Sequence, residues 1–283
     1  MNSVRKKVVT ILCWSAVFAF AFLAAPALAA PLDAFKNLEG TLDIAGGTAH
    51  IPVMQRAARN IMSVNPNIRI TVAGGGSGVG VRQVGEGLVG IGNTGRPLTE
   101  AEIAQYGLVT FPFAIDGVAV AVNPANPVKE LTSAQIAGIY SGEITDWKDV
   151  GGESGGIDVY GREDGSGTRE TFTEKLLGKT PLASSVNVVN SNGAMKTAIA
   201  QDKRGVGYVG IGHLEESITG IVIDGMIPTQ ENAASGKYTI VRNLYMNTKG
   251  TPAGLTAAFI DYIHSDEGAG IVSESGYIPI PPK

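Results

Sequence analysis

Cysteine is almost missing from this chain: the one present, Cys13, lies in an N-terminal apolar segment. A disulfide scaffold, a thiol nucleophile and a thiolate metal site are therefore excluded from the body of the protein. Histidine is scarce too. His50, His213 and His264 lie far apart and form no HExxH pattern, so no metal centre is expected. Charged residues make up only 17%, with a net charge of -4, which excludes the basic footprint of a nucleic-acid binder. What the chain has in excess is glycine, 38 residues in 283. The glycines do not recur at every third position, so they do not make collagen. A hydrophobic fraction of 44% argues against general disorder. The excess must serve tight turns and bare-backbone contacts in a folded protein.

The N-terminus reads as a targeting segment. Arg5, Lys6 and Lys7 precede an uncharged run from Val8 to Ala25, and Ala27 and Ala29 satisfy a small-x-small cleavage rule. Residues 1–29 are thus expected to be a secretory signal peptide, cleaved after Ala29, rather than a membrane anchor. Removal takes away Cys13 and the three basic residues, moving the net charge to -7. With no cysteine at the new N-terminus, a lipoprotein is not expected, and the product belongs in the periplasm.

Beyond residue 40, strand and helix patterns alternate. TLDIA (41–45), IRITVA (68–73) and Leu88–Gly92 read as strands, separated by helices over about 50–63 and 79–86. This βαβαβ order implies an α/β fold with a parallel sheet. Further strands are expected at 108–113, 118–122, 157–161, 205–211, 218–223 and 238–245. Further helices are expected at 132–140, 166–177, 192–200, 252–264 and 266–273. The breaks suggest two α/β lobes. One comprises 30–118 plus 213–283 and the other 124–210, with chain crossings near 116–124 and 208–216.

Three polar loops follow strands and open helices: GGTAH (46–50), GGGSG (74–78) and REDGSGTR (162–169). Each combines small residues with a hydroxyl and free helix-start amides, a combination suited to an anion. The third adds Arg162 and Arg169 directly after a strand, with Asp164 placed to pair with an arginine. A P-loop is absent, because no lysine follows Gly78 or Gly80. GGGSGVG also lacks the dinucleotide spacing. Ser166 stands in GSG rather than GxSxG, and no base is spaced to activate it, so catalytic residues are not expected. No cofactor is expected.

These loops and their surroundings resemble the PstS-like group of periplasmic binding proteins, the substrate-binding components of phosphate ABC transporters. The likeness spans about 40–280 and rests on GGTAH, AGGGSGVG (73–80), IGNTGRPLT (91–99), the run from Asp116 to Trp147 ending in ITDW, GREDGSGTRETF (161–172) and GVGYVGI (205–211). The resemblance implies two α/β lobes with a hinge and an interlobe cleft, and binding of inorganic phosphate without catalysis. It also implies delivery to a transmembrane permease by a monomer. Thr48 with the Ala49 amide, Ser77 and Gly78, Arg162, and Ser166-Gly167-Thr168 match its phosphate loops. Asp164 matches the acid that pairs with the arginine. One piece departs: Gly95 stands where the family carries an aspartate or serine. Thr94 is expected to supply a hydroxyl there, with Asp116 and His50 as further candidates for an acceptor. Gly95 and His50 leave room for another oxyanion; separately, a phosphate-sensing or surface protein and, less favoured, an extracellular phosphoester hydrolase stand as alternatives.

Overall fold

The computed structural model describes residues 31–281; the expected signal peptide and its expected cleavage site lie outside them. The strands are β1 Gly40–Gly46, β2 Ile68–Gly75, β3 Ile91–Thr94, β4 Leu108–Val122, β5 Glu130–Leu131, β6 Asp158–Arg162, β7 Asn187–Val189, β8 Gly205–Gly210, β9 Thr219–Gly220, β10 Val222–Ile223, β11 Val241–Lys249 and β12 Ile278–Pro279. The α-helices are α1 Ile51–Val64, α2 Gly76–Gly85, α3 Glu100–Tyr106, α4 Ser133–Ser141, α5 Gly167–Phe172, α6 Asn192–Gln201, α7 Gln230–Ala234, α8 Gly254–Ile263 and α9 Asp266–Glu274.

Local sequence explains most of these elements. In α1, Val53, Met54, Ala57, Ala58 and Ile61 are buried at helical spacing. Helix α3 was not anticipated, although Thr99 and Glu102 form a capping box and Gly107 closes it at φ 64°. The helix expected over 166–177 is interrupted: α5 gives way to a π-turn over Thr173–Leu177.

The main sheet runs β2-β1-β3-β11-β4-β8-β6-β7. Strands β2, β1 and β3 are mutually parallel, as the βαβαβ order implied, but β11 inserts antiparallel between β3 and β4. Strand β4 is a single 15-residue element where two strands were expected. Its residues Leu108–Gly117 pair with β11, and Val118–Val122 pair with β8. One strand therefore passes through both lobes.

Each lobe has its own core. The first gathers Phe35, Leu42, Ile44, Met54, Phe113, Leu244, Phe259 and Val272; the second gathers Val118, Ile136, Tyr140, Trp147, Phe172, Tyr208, Ile221 and Tyr238. The segment 214–240 belongs to the second core, not to the first as expected. Strand β9 pairs with the far half of β4, β10 pairs with β5, and the Tyr238 hydroxyl donates to Val118 O at 2.7 Å. Packing thus places the return crossing at about 240–241, beside Gly117 and Val118, rather than at 208–216.

The lobes touch across the cleft. The Gly78 amide donates to Gly165 O at 3.1 Å. Asn192, at the start of α6, donates to Thr48 Oγ1 from both its amide and its side chain, at 3.2 and 3.1 Å.

Candidate functional site

The loops after β1, β2 and β6 meet at the lobe boundary, at the carboxyl ends of their strands. They enclose a small, tight polar cavity lined by Gly47, Thr48, Ala49, His50, Gly76, Ser77, Gly95, Arg162, Ser166, Gly167, Thr168 and Arg242. No carboxylate lines it.

Arg162 ends β6 and is 1% exposed. Its Nε and Nη2 donate to Glu163 Oε2 and Oε1 at 2.9 and 2.8 Å, a bidentate clamp, while Nη1 is buried with no hydrogen-bond partner. A buried guanidinium N–H left unpaired is costly, so this atom calls for an acceptor in the cavity. The expected clamp was Asp164, and the structure corrects that. The Asp164 side chain is 94% exposed and pairs with Arg169 at 2.9 Å. Arg169 in turn donates to Arg162 O at 2.8 Å, so it braces the loop instead of entering the cavity.

The hydroxyls are arranged as donors. Thr48 Oγ1 already accepts two hydrogen bonds from Asn192, so its proton is free for another group. Ser77 Oγ accepts from the Gly95 amide at 3.0 Å, and Ser166 Oγ caps α5 by accepting from the Arg169 amide at 3.3 Å. Thr168 is buried in the same first turn of α5. Ala49 lines the cavity while its carbonyl accepts from the Tyr277 hydroxyl at 2.7 Å. Gly167 has no room for a side chain. A Cβ there would stand 2.6 Å from Ser77 Oγ and 3.0 Å from the Gly95 carbonyl carbon.

Two expected contacts are not among the lining residues. The Gly78 amide is committed to Gly165 O. The Thr94 hydroxyl donates to Arg96 O at 2.9 Å and accepts from Asn247 at 3.1 Å, so it holds its own loop.

At Gly95 the structure supplies a residue that sequence reasoning missed. A Cβ on Gly95 would lie 2.8 Å from Arg242 Nη1, so the guanidinium occupies the space beside it. Asp116 does not line the cavity. Its Oδ2 accepts from Arg242 Nε and Nη2 at 3.1 and 2.7 Å. Burial pushes the Asp116 carboxyl above its usual range, and Arg242 pulls the other way. The available signal was an arginine inside an otherwise strand-like run, YTIVRNLY. His50 is fully buried against Phe113, with both ring nitrogens lacking a hydrogen-bond partner. Burial, with help from Arg242, lowers its pKa to about 3, so the ring is neutral. Among the described residues, no group of His, Asp and Glu could hold a metal ion.

This geometry has relatives. Residues 36–267 match the PBP superfamily domain, which places the fold and cleft in the class of two-lobe binding proteins. The phosphate-binding protein PstS of Bacillus subtilis is 37% identical over 248 residues, spanning 87% of this chain and 82% of that one. A phosphate ABC transporter substrate-binding protein from Clostridium perfringens, solved with bound phosphate, superposes with a TM-score of 0.80. It is 33% identical and covers 85% of this chain and 100% of its own. An ABC-type phosphate transport receptor from Vibrio cholerae gives 0.68 at 36% identity, over 85% and 100%. The chain belongs to the PstS family of phosphate-binding proteins, which bind and do not catalyse.

Proposed function

We propose that this protein captures inorganic phosphate outside the cytoplasmic membrane and delivers it to the permease of an ABC importer. The observation that carries this reading is Arg162 Nη1, a buried and unpaired cationic donor facing a small cavity of hydroxyls without a carboxylate. The Glu163 clamp fixes the guanidinium before the ligand arrives, so little of its freedom is lost on binding. Hydroxyls whose lone pairs are engaged elsewhere point their protons at the anion, and closure of the lobes removes water from around it. Relatives bearing phosphate in their names support the choice of anion. The protein is exported by residues 1–29 and acts as a monomer in this reading.

Titration calorimetry of the ligand-free protein tests it. Phosphate is expected to bind one to one, and Arg162→Ala to weaken it at least tenfold. Absence of heat with phosphate overturns the reading. Turnover of a phosphomonoester would replace it with hydrolysis.

A further inference from the structure

We propose that Arg242 is a second ligand-contacting arginine, presented to the anion by Asp116 from the strands that join the lobes, and that Gly95 is glycine to make room for it. The proposal rests on the phosphate reading above and goes beyond it by adding a contact outside the three anion loops.

Arg242 lines the same cavity as Arg162 and is 8% exposed. Two of its nitrogens are engaged by Asp116 Oδ2, and Nη1 makes no hydrogen bond to the protein. The two arginines are built alike. Each is gripped by one carboxylate that does not line the cavity, Glu163 for Arg162 and Asp116 for Arg242, and each keeps Nη1 unspent. Arg162 Nη1 is fully buried and requires an acceptor; Arg242 borders both this cavity and a more open neighbouring pocket beside Arg96 and Glu170, so its free donor is accessible to an anion. The lining supplies no carboxylate: Thr48 Oγ1 already accepts twice from Asn192, Ser77 and Ser166 accept once each, and His50 is neutral, so the cavity holds only uncharged acceptors. An oxyanion in the cavity supplies what is missing, and a second arginine gives it planar donors from another side.

Position makes this arginine more than a duplicate. Arg242 and Asp116 are register partners on β11 and β4, next to the point where both strands leave one lobe for the other. Arg162 belongs to the second lobe, so an anion between the two guanidinia ties that lobe to the connecting strands. Gly95 is then a steric requirement. A Cβ would lie 2.8 Å from Nη1 and 3.2 Å from Cζ, so a larger residue displaces the guanidinium instead of adding a ligand contact.

The test is calorimetry with inorganic phosphate on the parent, Arg242→Gln, Gly95→Ser, and a double variant carrying Asp116→Asn with Arg242→Gln. The double variant removes both charges, so no buried ion is left unpaired. The expected result is at least a tenfold loss for Arg242→Gln and for the double variant. The unliganded melting temperature of the double variant should stay near the parent value. Gly95→Ser is expected to weaken binding on its own and to add no further loss on top of Arg242→Gln, since both act through one guanidinium. If the double variant folds and binds phosphate within threefold of the parent, Arg242 is a structural arginine and the proposal is wrong. A parent that binds no phosphate overturns the functional reading as well, which separates the two failures.

Discussion

Glu163 and Asp164 are neighbours with different work, and exchanging their charges separately should show it. Glu163→Gln loosens the bidentate clamp on Arg162, a charge-assisted contact worth about 1.5–3 kcal/mol, so phosphate affinity is expected to fall roughly tenfold or more. Asp164→Asn touches an exposed pair and should change affinity by less than about twofold. Equal losses in calorimetry would reject the assignment. His50 offers a second measurement. Unfolded, its ring takes a proton near 6.5; folded, only near 3. Between those values the unfolded chain binds more protons, so stability is lost as the pH falls through that window, by up to about 1.4 kcal/mol per unit. Melting temperature against pH should therefore fall more steeply for the parent than for His50→Gln. Parallel curves would mean that His50 is not a buried neutral ring. Much of this site was legible in the sequence, because arginine, hydroxyls and glycine stand together in REDGSGTR. The choice between Glu163 and Asp164 was not legible. It depends on the direction of a turn that Gly165 makes at φ 78°.

Each anion loop joins the end of a strand to the start of a helix, and this arrangement makes one glycine a gate. Gly167 opens α5 in the second lobe, while Ser77 and Gly95, the atoms a methyl group would strike, belong to the first. Gly167→Ala should leave each lobe folded and hinder their closure. Phosphate affinity is expected to drop by an order of magnitude or more with little change in the unliganded melting temperature. A melting temperature that falls in step with affinity would place the strain inside a lobe instead. Elements with local signals, such as α1 with its buried stripe, were readable from the chain. Strand β4 was read as two strands because Asp116 and Gly117 interrupt its apolar pattern. Its continuity comes from pairing with β11 more than 120 residues later, notably Asp116 with Arg242. The two-residue strands β9 and β10 likewise owe their lobe to distant partners, and that is why the return crossing was placed too early.

Across the whole molecule, closure is secured outside the cavity as well as in it. Arg96 reaches Glu102 within the first lobe at 2.7 Å and Glu170 on α5 of the second at 2.8 Å. Glu102 also caps α3, so the arginine is anchored on one side and bridges the cleft on the other. The Arg96 side chain is 18% exposed and that of Glu170 41%, so solvent screens the bridge and its worth is about 0.2–1 kcal/mol. Such a contact exists only when the lobes meet, so removing it should act on the closed state. Glu170→Gln is expected to speed phosphate release by roughly two- to fivefold and leave the association rate nearly unchanged. Raising the salt concentration should bring parent and variant rates together, because only the parent has an exposed bridge to screen. Stopped-flow release of phosphate at two ionic strengths reads both effects. If the variant and parent release at equal rates in low salt, Arg96 serves only to hold the Glu102 carboxylate that caps α3, and the closed state is held by the cavity contacts together with the Thr48–Asn192 and Gly78–Gly165 hydrogen bonds.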